Sequence, residues 1–138
     1  MTKRSYESAV EVRYRDTDSL GHISSPVYYN YLQDAYLNYM FWLLEAPKDA
    51  KIPQIMVKTA CEYVRPAKFG DTLDIHCSVI RFGGKSFDIE YLMYKRDGEQ
   101  TLVAKGYSTH VMYDYANEQT MMVPDDFKKR VLDFQGGL

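Results

Sequence analysis

Residues 14–44, YRDTDSLGHISSPVYYNYLQDAYLNYMFWLL, decide how this chain is read. The stretch opens as the tail of an alternating strand, with Val10, Val12 and Tyr14 on one side and Glu11, Arg13 and Arg15 on the other. Asp16 and Asp18 then enter a short turn containing Gly21 and His22, which ends in Ser24-Ser25-Pro26. Proline suits the first helical position, where its missing N–H would have had no intrahelical partner, and Ser25 before it is a favoured N-cap. The pattern sets a carboxylate at a strand end, facing a helix N-terminus across a glycine turn. That arrangement suits chemistry on a carbonyl.

The helix read from Val27 to Leu44 has Asn30, Gln33, Asp34 and Asn38 as its clearly polar residues, all on one narrow stripe. A helix apolar on nearly all sides is expected to be buried. Four polar residues and no flanking apolar run argue against a membrane span. The cover should be a sheet, because the rest of the chain reads almost entirely as strands. A polar loop with Pro47 and Pro53 ends the helix, and Gln54–Val64 forms a strand that stops at Arg65-Pro66. Phe69-Gly70-Asp71 is a turn signal.

Thr72–Phe82 alternates, with Leu73, Ile75, Cys77 and Val79 on one face, and Gly83-Gly84 signals a hairpin into Ser86–Arg96. Asp97-Gly98 signals a second hairpin, into a long strand over about residues 100–113, and a segment starting at Pro124 forms one or two turns of helix. Tight hairpins require antiparallel pairing. The expectation is therefore an α+β fold, an antiparallel sheet of about five strands wrapped around one long central helix, in a single domain over residues 1–138. An edge strand must remain, and pairing with a second copy removes that liability, so a homodimer or homotetramer is expected.

Bulk properties narrow the function classes. Formal net charge is −2 and 26% of the residues are charged, which excludes a strongly basic nucleic-acid binder and a disordered acidic tail. Thirteen tyrosines point to a core or pocket built from rings with polar edges. The charged start Met1-Thr2-Lys3-Arg4-Ser5-Tyr6-Glu7 carries no apolar leader, which makes a cytoplasmic location the default expectation. Cys61 and Cys77 fall on different strands and are expected to be reduced thiols, with a disulfide left open. Three histidines and two cysteines show no metal-ligand spacing, so no metal site is expected.

Two motifs carry a family resemblance. Arg15-Asp16-Thr17-Asp18-Ser19-Leu20-Gly21-His22-Ile23, followed by Pro26-Val27-Tyr28 and Tyr31-Leu32, resembles the signature of hotdog-fold acyl-CoA thioesterases of the 4-hydroxybenzoyl-CoA thioesterase type. Tyr63-Val64-Arg65-Pro66-Ala67-Lys68-Phe69-Gly70-Asp71-Thr72-Leu73 resembles the second signature of that family. The resemblance implies hydrolysis of an acyl-CoA to the free acid and CoA, with no cofactor. It further implies that Asp18 attacks the thioester or activates water, and that the Ser25 backbone N–H polarises the carbonyl.

Each candidate residue keeps a structural alternative. Asp18 can cap the turn instead, and Asp16 reads as a turn or ion-pair residue. His22 either orients Asp18 or contacts substrate as a catalytic residue, or makes a structural hydrogen bond in the turn. Ser24 and Ser25 read as caps, since no Gly-x-Ser-x-Gly elbow surrounds them. Tyr28 and Gln33 are assigned to the substrate, with Gln33 and Asp34 on the polar stripe as acyl-pocket residues or as mutual partners. Arg65, Arg81 and Lys85 are the candidates for coenzyme A phosphates, against a reading as solvated charge. Two functional rivals stay open: a hotdog hydratase or dehydratase, and a non-catalytic acyl-CoA-binding protein.

Overall fold

The alternating strands pair as their hairpin signals require. The computed structural model describes residues 3–138, so Met1 and Thr2, the first two residues of the charged start, lie outside the described residues. Strand β1 (Tyr6–Glu11) leads to helix α1 (Ser25–Leu43), followed by β2 (Gln54–Tyr63), β3 (Thr72–Phe82), β4 (Ser86–Lys95) and β5 (Thr101–Asp114). A two-residue β6 (Gln119–Thr120) and helix α2 (Asp125–Gln135) complete the chain. The strands lie in the order β1-β3-β4-β5-β2, with β6 paired to β5, and every pairing is antiparallel. The edges are therefore β1 and β2.

One face of this sheet is the floor of the core. Leu73, Ile75, Cys77 and Val79 of β3 and Phe87, Ile89, Tyr91 and Met93 of β4 are buried on it, and α1 sets Tyr28, Leu32, Ala35, Tyr36, Tyr39 and Met40 against them. The sheet covers the helix on one side only. Asn30, Gln33 and Asp34 are exposed, Leu37 and Phe41 half-buried, and Trp42 is 49% exposed, so the nearly all-round apolarity of α1 does not mean all-round burial. Helix and sheet approach closely where β5 carries Gly106. A Cβ there would lie 2.7 Å from both methyls of Leu32, which is itself fully buried.

Helix α2 runs to 11 residues, beyond the one or two turns read from the sequence. It is docked by Gln135, whose Nε2 donates to the Val79 carbonyl (3.0 Å) and whose Oε1 accepts from the Val79 N–H (2.8 Å) and the Tyr39 hydroxyl (2.7 Å). A side-chain amide thus fills the ladder where β3 bulges between Val79 and Arg81. The Gly83-Gly84 hairpin closes with the Gly83 N–H on the Ser86 carbonyl at 2.7 Å. At Asp97-Gly98 the positive φ falls on Gln100 (52°), because the Asp97 carboxylate gathers the Glu99 and Thr101 N–H groups and the Thr101 hydroxyl into a wider loop. Both cysteines are free thiols, Cys77 in the core and Cys61 half-buried.

The Leu32–Gly106 contact makes a direct packing test. Gly106→Val should destabilise the protein by about 1–3 kcal/mol through overpacking, measured by urea denaturation, with secondary structure preserved by circular dichroism.

Candidate active site

The first strand stops at Glu11, short of Tyr14, and residues Tyr14–Asp16 form one turn of 3₁₀ helix. Tyr14 consequently leaves the inner face and is 78% exposed, edge-on to Phe69. The cause is Asp16, whose carboxylate is drawn inward rather than outward. It accepts from the Arg13 N–H (3.1 Å), from Nε and Nη2 of Arg13 (3.2 Å each) and from the Tyr31 hydroxyl (2.7 Å). Asp16 is 3% exposed. Burial opposes its charge, but the hydrogen bonds from Arg13 and Tyr31 outweigh burial and hold the carboxyl below its ordinary range.

From this anchor the chain makes the Asp18 turn. The Asp18 N–H donates to the His22 carbonyl (2.8 Å) and the Gly21 N–H to the Asp18 carbonyl (3.0 Å), with Gly21 at φ +80°, where a side chain would be strained. Oδ1 of Asp18 accepts from the Leu20 N–H (2.9 Å) and, longer, from the His22 N–H (3.4 Å). Oδ2 has no protein partner among the described residues. The turn is pinned to the second motif by the Ile23 N–H on the Ala67 carbonyl (2.8 Å) and by a bridge between His22 and Lys68. The two motifs quoted from the sequence thus clasp each other.

The helix N-cap is Ser24, one residue earlier than the sequence suggests, and neither serine hydroxyl makes a capping hydrogen bond. Ser25 is the first helical residue and Pro26 the second. The reason lies in the backbone: the Ser24 N–H is taken by the Asp16 carbonyl (2.9 Å), and the Ser24 carbonyl takes the Val27 N–H (2.9 Å). Pro26 has no N–H to offer. The Ser25 N–H is left without an acceptor among the described residues, at the positive end of the helix.

Asp18, His22, Ser25, Tyr28 and Arg65 line one cavity of about 280 Å³, together with Ile23, Tyr63, Val64 and Pro66. The Tyr28 and Tyr63 rings pack with centroids 4.9 Å apart and form its aromatic wall, and the Tyr63 hydroxyl points to the Ser25 carbonyl at 3.4 Å. Tyr63 lies in the second motif, but only the pairing of β2 with β5 shows that it turns toward α1. The other three predicted site residues stand apart from this cavity. Gln33 is on the exposed side of α1, facing a different groove. Arg81 is held by Asp88 on β4 at 2.7 Å, and Lys85, in the β3–β4 turn, reaches Thr120 of β6 at 3.3 Å. Among the described residues no helix is long and apolar enough to cross a membrane.

Known proteins share this framework. Residues 12–131 match a family model described as the thioesterase-like superfamily. The chain is 29% identical over 122 residues to the 1,4-dihydroxy-2-naphthoyl-CoA hydrolase of Gloeothece citriformis (strain PCC 7424), covering 83% of this chain and 82% of that protein. Its fold is similar to that of a thioesterase complexed with coenzyme A and Zn from Thermus thermophilus, with a TM-score of 0.82, 22% identity and coverage of 96% of this chain and 95% of the other. It is similar also to an Asp-to-Asn mutant of 4-hydroxybenzoyl CoA thioesterase complexed with 4-hydroxybenzoyl CoA, with a TM-score of 0.80, 20% identity and coverage of 93% and 99%.

The Asp16 anchor gives a pH-dependent test. A carboxylate with a depressed folded pKa contributes stability that is present above its unfolded pKa of about 3.9 and lost as pH falls through the folded value. Tyr31→Phe should cost about 1.5–3 kcal/mol at neutral pH, as the loss of a hydrogen bond to a charged group does. Urea denaturation repeated at falling pH should show the gap from the wild type narrowing once Asp16 protonates.

Proposed function

This chain belongs to the thioesterase-like superfamily and is a thioester hydrolase of hotdog fold, and we propose that it cleaves acyl-CoA at the Asp18 cavity. The observation that carries this reading is the pairing, in one cavity, of a carboxylate oxygen and a helix N-terminal N–H that are both without protein partners among the described residues. The thioester carbonyl carbon sits between them. Its oxygen accepts from the Ser25 N–H, where the helix end places partial positive charge as the oxyanion develops. Oδ2 of Asp18 acts from the other side, either adding to the carbon or taking a proton from the water that adds. Collapse of the tetrahedral adduct breaks the C–S bond and releases CoA thiolate, which gains a proton from solvent. If Asp18 adds directly, the mixed anhydride formed as CoA thiolate leaves is then hydrolysed by one water, which restores the Asp18 carboxylate. A single turnover in ¹⁸O-water separates the routes, since only the anhydride route carries label into the Asp18 carboxylate.

Tyr28 and Tyr63 give the acyl thioester an aromatic wall, and Arg65 at the cavity is positioned for CoA phosphate. His22 fixes the turn through its backbone rather than by a side-chain bond to Asp18. The hydratase reading has less support, because the polar side chains of α1 nearest the cavity offer no histidine–acid pair.

Asp18→Asn should lower turnover at least about a hundredfold, measured as thiol release from a panel of acyl-CoAs, while the fold is retained. Near-normal rates would remove Asp18 from the mechanism. Ser25→Ala should keep turnover within about tenfold of the wild type, because the N–H remains, and should leave stability nearly unchanged, because the serine caps nothing.

We also propose a homodimer formed through β2. Its outer edge is ten residues long and unpaired among the described residues, and Ile55, Val57, Tyr63 and Val64 are all at least 36% exposed along it. An edge of this length and apolarity is a template for a second strand. Sedimentation should find a dimer or larger at micromolar concentration, and Val57→Lys should shift it toward monomer. A stable, active monomer would contradict the assignment.

A further inference from the structure

Tyr31 lies outside the Asp18 cavity, yet its hydroxyl touches the residue that joins the two halves of the site. Its ring is buried and lines a separate cavity of about 350 Å³ between β1 and α1. The hydroxyl donates to Oδ2 of Asp16 at 2.7 Å. Burial first, and then the bond to Asp16, push the Tyr31 pKa well above its ordinary value, so the hydroxyl keeps its proton and remains a donor. Arg13 is largely exposed and could pair with a carboxylate at the surface, so the ion pair alone gives no reason to bury Asp16. The bond to Tyr31 does.

The two reactive groups sit on separate segments. The Asp18 turn closes on itself through the Asp18 N–H on the His22 carbonyl and a bridge between Thr17 and Ile23, which shape it without fixing the helix axis. Leu32 on Gly106 sets α1 against the sheet, not against the turn. Asp16 ties α1 to the turn, and it does so twice. Its backbone carbonyl takes the Ser24 N–H at 2.9 Å, and its carboxylate takes the Tyr31 hydroxyl about two helical turns further on. The first bond alone is a pivot. The second fixes the direction of the helix about that pivot, and with it the direction in which the Ser25 N–H points.

We propose that Tyr31 is a positioning residue for thioester cleavage: through the Asp16 carboxylate it holds the Ser25 N–H at its working distance from Asp18. Tyr31 lines no part of the Asp18 cavity, so its loss acts on the chemical step and leaves acyl-CoA binding unchanged. Displacing aligned groups by about 1 Å, through a change remote from the chemistry, costs about a hundredfold in rate. A helix still pivoted at Ser24 and packed against the sheet is displaced by less, and the loss is smaller in proportion.

This inference rests on the acyl-CoA reading, so its test is thiol release from the acyl-CoAs that the wild type cleaves, compared per folded molecule. Tyr31→Phe should lower kcat about tenfold with KM within about twofold of the wild type, since no substrate contact is lost. Asp16→Asn should lower kcat at least as far, and adding Tyr31→Phe to it should lower kcat by less than about twofold more, because the tyrosine acts through the carboxylate. If Asp16→Asn does not fold, Tyr31→Phe carries the test alone, because it leaves the three bonds from Arg13 in place. Leu43→Ala is the matched control: it opens the core on the same helix without touching Asp16, and its kcat per folded molecule should stay near the wild-type value. A Tyr31→Phe protein that is less stable but turns over at the wild-type rate overturns the proposal. So does a rise in KM at unchanged kcat, an additive double variant, or an equal loss of kcat in Leu43→Ala. A wild type that releases thiol from no acyl-CoA overturns the thioesterase reading, and this inference with it.

Discussion

The carboxylate of Asp16 is the constraint on which the site depends. It holds the backbone and guanidinium of Arg13 on one side and the hydroxyl of Tyr31, inside α1, on the other. Its backbone carbonyl takes the N–H of Ser24, the helix cap. One residue therefore fixes where the strand ends, how the helix starts, and how far apart they stand. The turn carrying Asp18 hangs between these two fixed points and is braced from below by Ala67 and Lys68. This division of labour lets Asp18 stay exposed with an oxygen uncommitted, because the neighbouring aspartate supplies the structural bonds.

The same economy runs along the helix. Tyr31 reaches Asp16, Tyr36 reaches Gln54, Tyr39 reaches Gln135, and on the sheet Tyr91 reaches Ser108. Each ring fills core volume while its hydroxyl ties two elements that are far apart in sequence. The abundance of tyrosine is thus an architectural device: α1 is fastened to the strand exit, to β2 and to α2 by successive hydroxyls on its inner face. Leu32 on Gly106, in the middle, sets the depth to which the helix sinks.

Much of this was legible before any coordinates. β3 and β4 are plain in the sequence because apolar and polar residues alternate without exception from Leu73 to Val79 and from Phe87 to Tyr91, and burial follows the same period to Met93. The Asp18, His22, Ser25, Tyr28 and Arg65 cluster is legible because both motifs that carry it are local turns, one at each end of a short clasp. What escaped depends on long-range partners. Tyr14 continues the strand's alternation by type, yet a buried carboxylate two residues on turns the chain away. Ser25 looks like a cap beside Pro26, but the Asp16 carbonyl places the cap at Ser24. Arg81 and Lys85 are basic residues near a turn like any others until their pairing with Asp88 and Thr120 separates them from the cavity.

The strand order has a temporal side. Helix α1 and β2 leave the ribosome early, but among the described residues β2 pairs only with β5, which begins 38 residues after β2 ends, counting from Tyr63 to Thr101. Until β5 is synthesised, β2 exposes both of its hydrogen-bonding edges and the long aromatic helix has no finished floor to lie on. Loop closure of that length must precede the contacts that reward it, which makes folding slow relative to a chain of local hairpins. The nascent chain is thus exposed to unwanted strand pairing from the emergence of β2 until β5 follows it.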